Sequence, residues 1–577
     1  MRLARGAVLA AALVAAWLPA ASHAAPATPA QGLSSTAASA PDRPPAIASE
    51  KATALARGSR RLQDWIRDHP TVRTSATRDA ARGEWTVAFI DRTGRVQAQV
   101  LVDDTRGTLN ETRTGPQVAW QMARGYEGAF GRSVTRGRIW IPLIVLFLVP
   151  LIRWRRLVSW RTLDLLMLTG FCVSLVWFNR GEIFTSVPLA YPPLAYLAIR
   201  LALIGFRGRR AASRAAPDAP PDPPAGRRPR LTTWCPTWLL VCLMLLAVGL
   251  RLGLNAFDSN VVDVGYAGVI GADRIAHGET PYGTFPSDCG QCDTYGPFTY
   301  LTYVPFEAAN PWVGRWNDLP AAHGAAVMFD LVALLGMIVL GWRLGGRRLA
   351  AGLGLAWAAF PFTAYALESN SNDSLVAACL VWGLVFAHRP LGRGLAVGLA
   401  ALAKFTPAIL LVLWSRHPFP RPGPARRRLP AYLGGLALAA LASGWVVFLD
   451  GAEGARAFWT RTVGFQLDRE SPFSIWGQHE WLRPVQLALA GVVVLGSVLV
   501  AVRPRRLDMR AFAALSGALI LGIQLTMTHW FYLYIPWFLP FAIVALVPEW
   551  PRLARDDEPA APPPEPVAAP AFAGSTA

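Results

Sequence analysis

Two groups of residues in this sequence have the types and spacing to do chemistry. The first opens in the stretch Asn255-Ala-Phe-Asp258-Ser-Asn-Val-Val-Asp263-Val-Gly-Tyr266. Drawn as a helix from Asp263 at about 100° per residue, Asp263, Tyr266, Asp273, Arg274 and His277 fall within about 80° of one direction. Val264, Gly268, Gly271, Ala272, Ile275 and Ala276 cover the rest, with Ile270 the exception. That pattern predicts an amphipathic helix on a membrane surface. A carboxylate there could take a proton from a hydroxyl while an anionic group leaves nearby; a solvated polar face is the plain alternative. The second group is cationic. Lys51 and Lys404 are the only lysines among 56 basic residues, and Lys404 sits in an apolar run. An ionisable residue at membrane depth is costly and marks a functional candidate by default, although Lys404 could simply pair with Asp330. Arg469 and His529 are the other candidate cations. Arg469 has Asp468 and Glu470 as neighbours, and His529 beside Trp530 fits an interfacial belt equally well. Cys289-Gly-Gln-Cys292 reads as a tight disulfide. A redox pair would need a βαβ context, and a metal site would need further ligands.

The elements that must position these residues follow from composition. Of the 577 residues, 53% are hydrophobic and only 16% charged, against roughly 25% charged in soluble domains. This excludes an ordinary soluble enzyme, a disordered chain and a fibrous protein. The net charge of +19 does not imply a nucleic-acid partner, because the arginines lie in short clusters between apolar runs. Those runs, at 138–152, 162–179, 187–206, 235–254, 322–342, 349–367, 374–388, 431–449, 482–502, 511–528 and 531–548, predict eleven membrane spans, the first and seventh short for the purpose. The segments 153–161, 207–230, 343–348, 389–393, 416–428 and 503–510 hold 25 basic residues; the alternate segments 180–186, 255–320, 368–373 and 450–481 hold 6. That asymmetry places the first set in the cytoplasm. A twelfth run, 394–415, has basic segments on both sides, so it is expected to enter and return as two half-helices with Lys404 near the tip.

Residues 1–24 have the charged start, apolar stretch and Ser22-His23-Ala24 ending of a signal peptide, an uncleaved anchor being the alternative. Residues 25–50 and the acidic tail 551–577 are Ala/Pro-rich and expected to be disordered. Residues 51–135 alone show soluble periodicity: a helix over Leu55–His69, strands over 84–90 and 95–102, and turns at 91–94 and 103–107. The residues Gly83-x-Trp85-x-Val87, Gly94 and Val102-Asp103-x-x-x-Gly107 resemble a PepSY-type domain, implying a small α+β module outside the membrane, with no catalytic constellation. Three leading helices (138–206) and a basic cytoplasmic linker (207–232) would precede the core, 235–548.

That core carries an ordered set of motifs. Asp263-x-x-Tyr266 is followed by Gly278-Glu-Thr-Pro-Tyr282, Tyr295-Gly-Pro-Phe-x-Tyr300 and Pro305; then come Glu368-Ser-Asn370-Ser-Asn372-Asp373, Gly392 to Lys404-Phe-Thr-Pro407, Phe465-Gln466 to Trp476, and His529-Trp-Phe-Tyr532-x-Tyr534-x-x-Trp537-x-x-Pro540. Together they resemble the GT-C glycosyltransferases, most closely the polyprenyl-phosphate-mannose-dependent group, glycosyltransferase family 87. The Gly-Gln turn of that family is absent, and the Cys289–Cys292 stretch is an insertion. The resemblance implies a polytopic α-helical membrane protein of GT-C-like fold in a bacterial inner membrane, with the N-terminal domain and active site outside and the C-terminus inside. It implies transfer of a sugar, mannose or another hexose or pentose, from a polyprenyl-phosphate donor to a hydroxyl of a glycan, glycolipid or protein, with inversion. By motif position the base would be Asp263, with Asp258 as runner-up. Arg469, Lys404 and His529 would hold the donor phosphate. Tyr266, Arg274, His277, Tyr282, Tyr295, Asn370 and Gln466 would surround the substrates. The sequence has no glycine-rich phosphate loop and no Asp-x-Asp pair, so no metal, cofactor or soluble nucleotide-sugar donor is expected. A transporter or flippase for a lipid-linked sugar, or a non-catalytic membrane scaffold, are the rival functions.

Overall fold

The computed structural model describes residues 44–80, 83–125, 128–214, 228–290, 292–316, 319–416, 428–502 and 507–550. The expected signal peptide, most of the 25–50 linker, the middle of the 207–232 linker and the tail from 551 lie outside these residues.

The N-terminal module is two helices, Ser49–Arg57 and Arg60–Asp68, on a four-stranded antiparallel meander: β1 Arg73–Asp79, β2 Glu84–Ile90, β3 Val96–Asp103 and β4 Leu109–Thr114. The single helix expected over Leu55–His69 is broken at Gly58-Ser59, because Ser59 is the N-cap of the second helix, its hydroxyl accepting from Leu62 N–H. Alternation puts Trp85, Val87 and Phe89 of β2, with Ala98, Val100 and Val102 of β3, against Ala52, Ala56 and Leu62. The two edge strands escaped the pattern reading, since β1 is Arg73-Thr-Ser-Ala-Thr-Arg-Asp79 with alternate residues exposed. The β2–β3 turn closes where Asp91 Oδ1 accepts from Thr93 N–H and Arg95 N–H, with Gly94 at φ 84°. Asp104 ties the module together: Oδ1 accepts from Ala46 N–H, Ile47 N–H and Trp85 Nε1, and Oδ2 from Arg78.

The rest is a helical bundle. Among the described residues seven helices are long and apolar enough to cross a membrane, or eight if Arg347–Ala358 and Pro361–Glu368, which meet at 54°, form one broken span. Eleven spans were expected from the apolar runs, and seven or eight meet the length and composition of a crossing helix. The runs at 138–152, 374–388 and 531–548 are helices of only 10–17 residues: Gly137–Leu151, Asp373–Val385 and Tyr532–Leu546. The break at 359–360 follows from Pro361, which has no N–H to continue a helix. Such a break orphans carbonyls at membrane depth. Arg251 covers them, donating to Trp357 O and Ala358 O, while its other nitrogen pairs with Asp330 at 3.0 Å.

The 394–415 run behaves as a hairpin. The helix Pro390–Ala403 ends at an extended Lys404, a 3-10 turn Thr406–Leu410 follows, and Leu411–Ser415 leads back. Arg393, near the start, donates to Trp414 O at 2.7 Å near the finish, so both ends share one level of the bundle. The three leading helices join the same hydrophobic core as the later ones; Tyr532 OH, for example, bonds Ser174 Oγ at 2.6 Å and Ser186 Oγ at 2.8 Å.

The helix Asp263–Ala276 corrects another expectation. It is not a surface helix: Val264 to Ala272 are all buried. Its glycines decide this. A Cβ at Gly268 or Gly271 would stand 2.5 Å or 2.1 Å from the rings of Tyr303 or Tyr300, and one at Gly265 2.3 Å from Asn370 O. The small-residue face that seemed to lie toward lipid instead admits close packing against Pro297–Ala309 and the 369–372 turn.

Candidate active site

One cavity collects side chains from seven separate stretches of chain. Its walls include Asp263, Tyr295, Asp373, Lys404, Gln466, Arg469 and His529. Each stretch is aimed by local bonding. The strand-like approach to Asp263 is stitched to the turn at the end of Pro361–Glu368: Asn260 N–H donates to Glu368 O, Val262 N–H to Ser369 O, and Asn372 Nδ2 to Val264 O. Asp263 and Asp373, each in the first turn of its helix, thereby reach the same space. Tyr295-Gly-Pro has a similarly local logic. Gly296 N–H and Thr299 Oγ1 donate to Ala403 O, satisfying a carbonyl orphaned by the helix end. A Cβ at Gly296 would stand 2.0 Å from Leu402 O, so only glycine fits. That approach sets the Tyr295 ring beside Lys404.

Lys404 is the centre of the site. Its ammonium lies 2.5 Å from Asp373 Oδ1 and 5.2–5.6 Å from the ring centres of Tyr295, Trp537 and Tyr534. Trp537 Nε1 donates to the same carboxylate oxygen at 3.0 Å, whereas Asp373 Oδ2 has no partner. The alternative pairing of Lys404 with Asp330 is not found; Asp330 belongs to Arg251. Arg469 lies over the Phe465 ring at 5.5 Å, and its Nε has no partner. A π-helical turn, Thr460–Gly464, precedes it, a local distortion frequent at functional sites. His529 Nδ1 faces Ser471 Oγ at 2.8 Å. Burial, and then the charges of Arg469 and Lys404, hold His529 well below the usual imidazole range. Its geometry is that of a hydrogen-bonding group beside Ser471. Asp263 is exposed to the cavity. Desolvation by the surrounding protein pushes its carboxyl up from the ordinary value, against the opposing pull of Val264 N–H, Arg469 and Lys404.

The other expected residues are elsewhere. Asp258 ends the helix Thr237–Phe257, its N–H on Leu254 O, and does not reach the cavity. Tyr266 stacks on Trp316 at 4.7 Å and donates to Asp288. Arg274 pairs with Glu279 at 3.2 Å, and His277 is exposed beside Asp273. Tyr282 is a brace behind the site, its hydroxyl donating to Tyr295 O. Asn370, at φ 47°, is consumed by bonds with Asn255, Ser259 and Asn260. Cys289 and Cys292 form a disulfide, and next to it Asp293 holds Arg461. Asp373 and Trp537 were missed as site residues. For Asp373 the signal existed: an acid opening an apolar helix meets the same depth criterion that singled out Lys404. Trp120, Met122 and Phe130 also line the cavity, from a segment with no chemistry legible in its residues.

Residues 294–528 match the family described as glycosyltransferase family 87. No curated protein matches the chain, and no solved structure does. The matched stretch contains Tyr295, Asp373, Lys404, Gln466 and Arg469; Asp263 lies before it and His529 just after it. With the helices capable of crossing a membrane, the match supports a membrane-embedded glycosyltransferase of GT-C-like kind.

Proposed function

We propose that this protein transfers a sugar, mannose or another hexose or pentose, from a polyprenyl-phosphate donor to an acceptor hydroxyl on the outer face of a bacterial inner membrane, inverting the anomeric carbon. The observation that carries the reading is the shared cavity: a carboxylate open to it, Asp263, and two cations, Lys404 and Arg469, come together from distant parts of the chain. An acceptor hydroxyl is almost fully protonated at neutral pH, so a base must take its proton as the new bond to the anomeric carbon forms. Asp263, with its raised pKa, does this; a base nearer the working pH is the more effective one. The bond from the anomeric carbon to the phosphate oxygen breaks on the opposite side, and the charge left on that phosphate is balanced by Lys404 and Arg469. Asp373 occupies one donor direction of the Lys404 ammonium, leaving others for the phosphate. His529 contributes a hydrogen-bonding ring nitrogen. The PepSY-like identity of the N-terminal module belongs to the same reading.

The test is transfer itself. Purified protein in lipid nanodiscs is given polyprenyl-phosphate carrying a radiolabelled sugar, with membrane lipid and glycan extracts as acceptors. Label passing to an acceptor in the inverted configuration supports the reading. Donor that crosses a vesicle membrane unconsumed would point to a flippase, and inert donor to a scaffold.

A further inference from the structure

The cavity has two chemically different sides. The polar side is Asp263, Asp373, Lys404 and Arg469. The apolar side includes Trp120, Met122 and Phe130, from the segment joining the α+β module to the first leading helix. This segment is no loose tether. At its start Gln117 is buried and donates from Nε2 to Gly181 O at 2.9 Å and to Ala123 O at 3.3 Å. Gly125 is packed so tightly on the 178–181 turn that a Cβ would stand 2.1 Å from Phe178 O. At its far end Asn260 donates to Ala129 O at 2.9 Å and accepts from Gly131 N–H at 2.6 Å. Asn260 lies three residues before Asp263, so its side chain ties the approach to the proposed base to the segment carrying Phe130. Between these anchors Trp120 is partly buried, its ring 5.7 Å edge-on from Phe473 and 6.3 Å from the His529 ring.

We infer that Trp120 is the platform on which the acceptor's sugar ring rests, and therefore a specificity-determining residue contributed by the N-terminal region. The inference rests on the glycosyltransferase reading above. Three observations lead to it. An indole face beside polar groups is what a pyranose requires, since its C–H face packs on the ring while its hydroxyls reach hydrogen-bonding partners. The segment belongs to the end of the bundle where the α+β module and the 368–372 turn sit, so it meets a molecule arriving from that side; a polyprenyl chain must instead run along the lipid-facing helices. Lys404 and Arg469, the phosphate side, fall inside the family-matched stretch 294–528, whereas Trp120 falls outside it. A shared donor chemistry with an added wall for the acceptor is the division this arrangement describes.

The test uses the full chain in nanodiscs, polyprenyl-phosphate carrying a labelled sugar as donor, and a panel of alkyl pyranosides as acceptors, the best being taken for kinetics. Trp120→Ala should raise the acceptor KM about ten-fold, the size of a lost aromatic packing contact, with donor KM within two-fold of wild type. Trp120→Phe should fall between. An unchanged acceptor KM in both variants, or a rise confined to donor KM, would overturn the inference, the latter by assigning the wall to the polyprenyl chain. If Trp120→Ala does not fold, Trp120→Phe and Met122→Ala carry the comparison with the same criteria. Wild-type protein that consumes donor but glycosylates no pyranoside overturns the platform alone. Wild-type protein that consumes no donor contradicts the glycosyltransferase reading instead.

Discussion

Lys404 shows how the site is held and how it can be broken. It and Asp373 are both buried and pair at 2.5 Å. Removing one partner of a buried pair leaves an uncompensated charge, typically at a cost of about 3–5 kcal/mol. Lys404→Met should therefore lower stability by about that amount in detergent-solubilised thermal unfolding. Lys404→Met combined with Asp373→Leu should recover most of the stability and none of the transfer. A double variant as unstable as the single one would mean that the pair is not what couples the two residues. At this scale much was legible in the sequence. Asp263, Lys404, Arg469, His529, Tyr295 and Gln466 were all singled out, and all six line one cavity. What the sequence hid was partnership. The sequence offered Asp330 as a partner for Lys404, and only the fold supplies Asp373 instead. Tyr266 and Asn370 sit in motifs yet face other protein groups, because a motif records spacing and not the direction of a side chain.

The elements follow from where backbone groups find partners. The turn-back of the 394–415 run was expected from the basic residues on both its flanks, and the Arg393 bond to Trp414 O joins its two ends. The helix Asp263–Ala276 was misread because glycine counts as neither polar nor apolar; its place was fixed by Tyr300 and Tyr303, far along the chain, which fill the space over Gly271 and Gly268. Short apolar runs are ambiguous for a related reason. Apolar runs record burial in lipid or protein alike, and Asp373–Val385 and Tyr532–Leu546 are surrounded mostly by other helices. The hairpin makes a prediction of its own. Reporter fusions at 425 and 460 should report opposite sides of the membrane, 425 cytoplasmic and 460 outside. A cytoplasmic report at 460 would mean that 394–415 crosses once and that the later helices are inverted.

The whole molecule joins an α+β module, a leading helical group and a family-matched core into one site. The module has its own pH signature. Burial alone would raise the Asp104 carboxyl, but hydrogen bonds from Ile47, Arg78, Trp85 and Ala46 outweigh it and hold it at about 2. A carboxyl lowered on folding adds stability that is complete above its unfolded value, near 3.8, and is lost as pH falls toward 2. Pepsin should therefore begin to cut within 84–103 as pH drops from 4 to 2, and should cut Asp104→Ala already at pH 4; equal resistance of both proteins would refute that anchor. The central claim is that Asp263 is the base facing the two cations, and the most direct measurement is turnover of Asp263→Asn beside Asp258→Asn with a fixed donor and acceptor. Asparagine keeps the shape and removes the basicity, so Asp263→Asn should lose about 10²–10⁴-fold in kcat with donor affinity nearly unchanged. It should also lose the acidic limb of the kcat–pH profile, which in wild type should lie above the ordinary aspartate value of about 3.9. Asp258→Asn should be close to wild type; near-normal turnover in Asp263→Asn with loss in Asp258→Asn, or no loss in either, would contradict the account.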